Sequence, residues 1–438
     1  NYVSSFGKIF ENYRRKIYSK GFSTSKKLSL DKLKSFISTI CNQFDETILI
    51  NYSKKGLFDA YNTINIDSKT QSIDVKKLDV MLEGQVAGLS CKSQNCNNKV
   101  QTLKSLFSSN LYRPDMRSFI LYPEKNTAPF LEKNIIRPDA LKRSSLLNKM
   151  VAEKNKLIVE KDCEGKFRFN PAFRNKFDLL AALENLPKSE LAKISSENEF
   201  EKISKIFEIV FNHRNFTGRS GTMFSYEGIG SIYWHMVSKL LLSIQENYFS
   251  AKNDSQIIDD TVNSLGYYYY KVRNGLSAAK DPKEYGAFPF DPYSHTPSHS
   301  GAQQPGMTGQ VKEEILTRFG ELGCFVENGC IKFDTSLLLK KEFLLNKKTF
   351  TYFDISKIKN SLQIHQNQLA YTYCQVPILY TLTNNESYIN LTFKDYSKKK
   401  INGNLIDKKI SHSIFAREGK VKQIELHINE KLLFNHTT

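Results

Sequence analysis

The sequence predicts a mainly α protein whose helices are followed by a C-terminal β-sandwich. Apolar side chains recur every three or four residues up to about Gly329, a spacing typical of amphipathic helices. From Cys330 onward apolar and polar side chains alternate, as in Ile424–Ile428, which is typical of strands with one buried face. Segments containing proline and glycine separate the predicted helices, and this favours an arrangement of helical hairpins.

The predicted helices follow one another through the first 329 residues. Leu28–Leu49 carries Asp31 near its start, where a carboxylate stabilises the helix N-terminus. Ile229–Phe249 is the longest and most apolar of them. The other predicted helices are Val75–Leu89, Val100–Phe107, Leu141–Val151, Phe177–Leu186, Ile203–Phe211, Ile257–Arg273 and Gln310–Leu322.

The predicted strands occupy the remainder of the chain. Turn signals such as Asn402-Gly403 separate them. The predicted strands are Ile331–Asp334, Thr349–Asp354, Leu369–Leu382, Tyr388–Phe393, Ser413–Phe415 and Val421–Ile428. We therefore expect two domains, a helical domain over residues 1–329 and a β-sandwich over residues 330–438.

The charge of the chain bears on its partners. A formal net charge of +18 raises the question of nucleic-acid binding. The positive residues are mostly Lys and are dispersed, whereas base readers and phosphate clamps favour Arg for its bidentate contacts. We therefore do not expect a nucleic-acid partner. No apolar run reaches the roughly 18 residues that a membrane helix needs, so we expect no membrane association.

The cysteines and the first residue bear on the setting of the protein. Seven cysteines form no CxxC pair, and their odd number argues against both a disulfide framework and structural zinc. We expect the cytoplasm or another reducing compartment, and no signal peptide is visible. Residue 1 is Asn rather than Met, so we expect a fragment or processed chain that works with further polypeptide, either an N-terminal portion or a partner subunit.

The candidate ligand site lies between His213 and Gly323. This stretch holds 12 of the 21 glycines, and two of its polar loops run into predicted helices. Arg219–Thr222 precedes one helix and Thr308-Gly309 precedes the other. Such junctions present unpaired backbone N–H groups and the positive end of a helix dipole, which together favour an anion.

Several of these residues also have purely structural interpretations. His235 on an apolar helix could be a core histidine, Thr308 could be an N-cap, and Arg219 could be a surface residue. The Glu313-Glu314 pair is interpreted as ordinary complementarity to the helix dipole. His295 and His299 have a spacing that zinc ligands can have, but nearby prolines disfavour a helix there, so we expect no metal.

Motifs in this stretch resemble the closing segment of cellobiose and related β-glucan phosphorylases. The resemblance covers roughly Gly218 to Asp334, and residues 1–212 match no motif. The motifs that carry it are Tyr226-Glu227-Gly228-Ile229-Gly230, Trp234-His235, Glu284-Tyr285, Asp291-Pro292-Tyr293-Ser294, His299, Gln303-Gln304-Pro305-Gly306-Met307-Thr308-Gly309, Leu322-Gly323 and Gly329–Asp334.

The resemblance implies a fold, an activity and a set of contacts. It implies an (α/α)6-type helical barrel, closed or incomplete, and phosphorolysis of β-linked gluco-oligosaccharides with inorganic phosphate as co-substrate and no other cofactor. Phosphate contacts are expected from Arg219, His235, Gln303, Gln304, Thr308 and Gly309. Sugar contacts are expected from Tyr226, Glu227, Trp234, Asp291, Tyr293 and His299.

The general acid is where the sequence departs from the family. Inverting phosphorolysis needs one carboxylic acid, which the family supplies as an Asp followed by Gly. If Gly56 is the equivalent glycine, Lys55 stands at the position of the acid, and Asp59 is the nearest substitute. We therefore expect weak catalysis from this chain alone. The alternatives are a non-catalytic glucan-binding or assembly subunit, and an (α/α)-barrel hydrolase that uses a second carboxylate such as Asp291.

Overall fold

The computed structural model describes residues 2–21, 27–67, 70, 72–78, 80–92, 94–123, 132–187, 196–211, 232–276, 279–280 and 310–435. The chain forms two compact units, residues 1–58 and residues 59–438. Within the described ranges there are twelve α-helices, and most strands follow the last long helix. None of the helices in these ranges is both long and apolar enough to cross a membrane.

The first unit contains two long helices and a tight turn. Helix α1 spans Tyr2–Lys20 and helix α2 spans Leu30–Ile50, which confirms the helix predicted over Leu28–Leu49. After α2 the backbone N–H of Ser53 donates to the carbonyl of Leu57 at 2.9 Å. Gly56 takes a φ of +75° in this turn, a backbone conformation that residues other than glycine adopt only with strain.

The second unit begins with small hairpins and two short helices. These elements are β1 (Asn62–Asp67), β2 (Ser72–Lys77), α3 (Leu82–Ser90), α4 (Cys96–Phe107), β3 (Tyr112–Arg113) and β4 (Ser118–Phe119). The helix predicted over Val75–Leu89 is wrong in its first part, because Val75 pairs with Ile64 in the β1–β2 hairpin. The prediction for α4 is confirmed, and Asn95 caps it by accepting from the N–H of Asn98.

Residues 132–211 form a small module with a core of its own. Its elements are α5 (Pro138–Leu141), α6 (Ser145–Ala152), β5 (Val159–Lys161), β6 (Phe167–Phe169), α7 (Lys176–Glu184) and α8 (Ser196–Phe211). Phe169 and Phe207 meet edge to face at the centre of this core. Glu199 of α8 is buried and accepts from the hydroxyl of Ser144 and the N–H of Leu146, which ties α8 to the start of α6.

Helix α9 (Trp234–Lys252) is the central element of the second unit. It packs against α3, α10 (Asp259–Arg273) and α11 (Gln310–Leu322), and it buries residues on several faces. The prediction for α11 is confirmed over its full length.

A buried polar network joins α10 to α11. The carboxylate of Glu321 accepts from the Tyr269 hydroxyl at 2.7 Å, from Arg273 Nε at 2.8 Å and from Arg318 Nη1 at 2.7 Å. Burial, with help from the Glu321 carboxylate, raises the pKa of Tyr269 well above its usual value. Tyr269 therefore remains a hydrogen-bond donor at every physiological pH.

Strands dominate after α11. Two hairpins accompany a five-stranded sheet with the order β11-β12-β15-β13-β14, in which only the β12–β15 pair is parallel. The strands are β7 (Cys324–Glu327), β8 (Cys330–Phe333), β9 (Lys348–Phe353), β10 (Lys359–Ile364), β11 (Gln368–Tyr373), β12 (Val376–Thr383), β13 (Tyr388–Phe393), β14 (Lys398–Asn402) and β15 (Val421–Asn429). Helix α12 (Lys408–Phe415) lies against β8 and β15.

Two strand predictions in this region are corrected. Ser413–Phe415, predicted as a strand, lies in α12, because Asp407 caps a helix start by accepting from the N–H of Ile410. Leu369–Leu382, predicted as one strand, is a hairpin of two strands that turns at Cys374 and Gln375, both with positive φ. Strands dominate from Cys324, close to the change predicted at Cys330, but the short strands β1–β6 interrupt the region that was predicted as successive helices. The barrel, the sandwich and the domain boundary stay predictions.

Candidate functional site

The structure describes three of the predicted site residues, Asp59, Trp234 and His235. The others lie outside the described residues: Arg219, Tyr226, Glu227, Asp291, Tyr293, His299, Gln303, Gln304, Thr308 and Gly309. The two loops predicted to bind an anion precede α9 and α11 in the sequence, and the structure describes the first turns of both helices.

Trp234, the first residue of α9, is part of the packed interior. Its side chain is 8% exposed, and the Nζ atom of Lys280 lies 5.1 Å from the centre of the indole ring. Lys280 is itself held by the carbonyl of Met116, which accepts its hydrogen bond at 2.6 Å. The indole is thereby fixed in position, and its sugar contact stays a prediction.

His235 meets a carboxylate from the first turn of α11. Its Nε2 atom lies 3.2 Å from Oε1 of Glu313, within hydrogen-bond distance. The His235 side chain is 18% exposed, whereas Glu313 is 5% exposed. An ionised carboxylate can only accept hydrogen bonds, so Nε2 of His235 is the donor in this contact when Glu313 is ionised. The histidine is therefore neither a purely apolar core residue nor an exposed one.

The His235–Glu313 contact brings two helix N-termini together. The first turns of both helices lie at this contact, and the positive ends of the two helix dipoles add their fields. Glu313 partly balances this positive charge, while the half-buried imidazole can offer its second ring nitrogen to a ligand. Chemically, the arrangement is suited to an anion that takes hydrogen bonds from an imidazole and from backbone N–H groups.

A close approach of α9 and α11 holds this contact in place. Gln245 of α9 donates to the carbonyl of Thr317 in α11 at 2.8 Å and to the Tyr269 hydroxyl at 3.2 Å. Gly320 makes the approach possible, since a Cβ atom there would lie 2.0 Å from Oε1 of Gln245. The spacing of the two helices is thus fixed by packing well inside the fold.

Asp59 lies in a different environment. One of its carboxylate oxygens is 2.5 Å from Nζ of Lys77 on β2, and its side chain is 14% exposed. Among the described residues no contact joins Asp59 to His235 or Glu313. Lys55 is exposed in the turn that follows α2. The role of Asp59 as the acid stays a prediction.

Glu313 is the site residue that sequence reasoning missed. The pair Glu313-Glu314 was interpreted as dipole complementarity, but Glu313 is buried and its Oε2 atom has no hydrogen-bond partner among the residues that the structure describes. The sequence did contain a signal, because Gln310, Glu313, Thr317 and Glu321 recur at helical spacing and form one polar face of α11.

A family model matches part of the chain. Residues 127–214 match the model described as GH149 phosphorylase insertion domain 2. The match covers less than half of the chain and contains the module with its own core, α5 to α8. It relates the chain to glycoside phosphorylases, and it falls outside the motifs at Gly218–Asp334 that carry the sequence resemblance, so the two signals are separate. A comparison with curated proteins gave no match.

Proposed function

We propose that the chain is a glycoside phosphorylase that cleaves β-linked gluco-oligosaccharides with inorganic phosphate as the nucleophile. The observation that carries this proposal is the meeting of the first turns of α9 and α11 through His235 and Glu313. These are the helices that follow the two predicted anion loops. The match of residues 127–214 to a phosphorylase insertion domain supports the same activity from an independent part of the chain.

In this proposal phosphate occupies the junction of the two helix N-termini. His235, with a proton on each ring nitrogen, donates to it from Nδ1. The further contacts come from backbone N–H groups and from Arg219, Gln303, Gln304, Thr308 and Gly309. A phosphate oxygen attacks the anomeric carbon while the glycosidic C–O bond breaks, and a carboxylic acid protonates the departing oxygen. The products are a sugar 1-phosphate and a glucan shortened by one residue.

The proposed fold places this site at the mouth of a helical barrel. The helices before residue 330 would form an (α/α)6-type barrel, and the C-terminal strands would form a β-sandwich beside it. Sugar contacts are proposed for Tyr226, Glu227, Trp234, Asp291, Tyr293 and His299, since aromatic rings stack on sugars and polar groups bind their hydroxyls. The free cysteines suit a reducing compartment such as the cytoplasm.

Phosphate dependence is the test of this function. The purified chain is incubated with β-glucan oligomers, with and without inorganic phosphate, and sugar 1-phosphate and free sugar are measured separately. We expect sugar 1-phosphate only when phosphate is present, and its loss in His235→Asn. Free sugar released at the same rate without phosphate would instead identify a hydrolase.

The second candidate function is a non-catalytic glucan-binding or assembly subunit. The observation that favours it is the ion pair that engages Asp59 with Lys77. The same candidate follows if Gly56 is the family's glycine, since Lys55 then stands at the position of the acid. This candidate predicts glucan binding without turnover, and a gain of turnover in Lys55→Asp or after addition of a partner polypeptide. Robust turnover by the unmodified chain that disappears in Asp59→Asn would exclude it and would make Asp59 the acid.

A further inference from the structure

Glu313 is a buried carboxylate whose two oxygens have unequal surroundings. Oε1 is 3.2 Å from Nε2 of His235, and Nζ of the exposed Lys312 lies 3.8 Å from the same oxygen. Oε2 is buried and has no hydrogen-bond partner among the residues in the described ranges. An acidic side chain that is 7% exposed, with one oxygen that has no partner in the described part of the chain, is an unfavourable arrangement for folding alone.

Helix-dipole stabilisation does not explain this burial. A carboxylate in the first turn stabilises a helix by about 0.3–1 kcal/mol even when it is exposed to solvent. Desolvation of a charged group costs several kcal/mol, which exceeds that gain. The only strong contact of Glu313 in the described part of the chain is His235, so the benefit of the buried position is to be found at the imidazole.

We propose that Glu313 is a positioning residue that orients the His235 ring for anion binding, an inference that rests on the proposed function. By accepting from Nε2–H, the carboxylate fixes the ring plane and leaves Nδ1 as the nitrogen that faces the ligand. The ring would then lie between two anions, the Glu313 carboxylate and the bound phosphate. An imidazole with a proton on each ring nitrogen can donate to both, and hydrogen bonds between charged groups are the strongest.

Steady-state kinetics separate this role from a structural one. Glu313→Gln keeps the shape but removes the charge, so the KM for phosphate should rise by about 10–100-fold, by analogy with the loss in metal affinity or activity when the partner that orients a metal-binding histidine is removed. The kcat at saturating phosphate should change far less. Glu313→Asp keeps a carboxylate, so the KM for phosphate should rise less in this variant than in Glu313→Gln. The matched control is Glu314→Gln, which removes a charge from the adjacent position, and its KM for phosphate should stay near that of the unmodified chain.

A double-mutant cycle tests whether Glu313 acts through His235. In a His235→Asn background, Glu313→Gln should have little further effect on phosphate binding, because the oriented group is already absent. Binding of inorganic phosphate is measured by titration calorimetry, so the cycle does not depend on turnover. Independent, additive losses would overturn the inference.

The orientation itself can be observed without any ligand. Long-range ¹H–¹⁵N spectra distinguish the two ring nitrogens of each histidine, and His235→Asn identifies the His235 signals. Glu313→Gln should change them, whereas Glu314→Gln should not. Unchanged signals would refute the positioning role even if the chain proves to be a phosphorylase. Changed signals without phosphate binding or turnover would leave the orienting contact in place and refute the proposed function.

Discussion

Replacing Gly320 with alanine tests the packing that places the site. Gly320 lies in α11 on the side that faces α9, and an added Cβ would lie 2.0 Å from Oε1 and 2.3 Å from Cδ of Gln245. Gln245 is 4% exposed, and its amide donates to the Tyr269 hydroxyl and the Thr317 carbonyl. The amide can therefore move aside only by giving up both hydrogen bonds, and otherwise the two helices must separate.

Two opposing effects decide whether this substitution raises or lowers the free energy of unfolding. Gly→Ala inside a helix normally stabilises it by about 1 kcal/mol. Overpacking of a well-filled interior costs about 1–3 kcal/mol, and displacement of the Gln245 amide leaves buried groups unsatisfied at a further cost of about 1–3 kcal/mol. The losses exceed the gain, so Gly320→Ala should lower the free energy of unfolding by about 1–5 kcal/mol.

The assay is denaturant unfolding of the purified variants. Gly7→Ala is the matched control, because Gly7 also lies inside a helix but an added Cβ there would meet nothing within 4 Å. Gln245→Ala should relieve the clash, so the double variant should lose less stability than the sum of the two single ones. Separation of α9 from α11 should also weaken phosphate binding. A Gly320→Ala protein as stable as the unmodified chain would refute the packing argument.

Two further predictions concern individual side chains in the C-terminal half. Burial raises the pKa of Cys324 to about 11, so at pH 8 a thiol reagent should label the exposed Cys163 well before Cys324, and equal rates in the folded protein would contradict this. Burial of Asp334 opposes its ionisation, but the hydrogen bonds from Lys252 and Ser336 and the positive charge of Lys252 together outweigh that effect and lower the Asp334 pKa below 3.8. The contribution of Asp334 to the free energy of unfolding is therefore fully present when the pH is above the pKa that Asp334 has in the unfolded chain. It is lost as the pH falls through the lower pKa that Asp334 has in the folded protein. Asp334→Asn should accordingly cost about 1–3 kcal/mol at pH 7 and progressively less in acid, as measured by urea unfolding at several pH values; a cost that does not change with pH would contradict this.

The long helices were predictable because their signal is local. The apolar spacing of α2 and α11 extends over several turns, so each helix could be recognised without knowledge of its neighbours. The β1–β2 hairpin was missed because its strands are defined by their pairing, as between Ile64 and Val75, and not by burial of one face. Helix α12 was missed because the cap at Asp407 was overlooked in a region where strands were expected.

The sequence directed attention to α9 and α11, because the glycine-containing loops precede these two helices, and the anion site itself stays a prediction. The partner of His235 could not be identified, because Glu313 lies 78 positions away in the sequence and the contact depends on how the helices pack. A carboxylate in a first turn is usually solvent-exposed, so burial was the information that the sequence lacked.

The orientation of α11 gives a last prediction. Val311, Ile315 and Leu316 are each more than half exposed, while Glu313 and Glu321 on the other side of the helix are buried. The polar face of this helix therefore points into the protein, opposite to the usual amphipathic pattern. Burying an apolar side chain would be more favourable than burying the Glu313 carboxylate, one oxygen of which has no partner among the residues that the structure describes.

If Glu313 is retained for His235 and not for folding, Glu313→Leu should fold at least as stably as the unmodified chain and yet bind phosphate about 10–100-fold more weakly. Thermal unfolding and phosphate titration on the same sample measure both quantities. Glu321→Leu is the contrasting variant, because it leaves Arg273 and Arg318 without their shared carboxylate. It should lower the free energy of unfolding by about 3–5 kcal/mol, and solvent screening of the charges reduces this value. A comparable loss of stability in Glu313→Leu would show that Glu313, like Glu321, serves the fold.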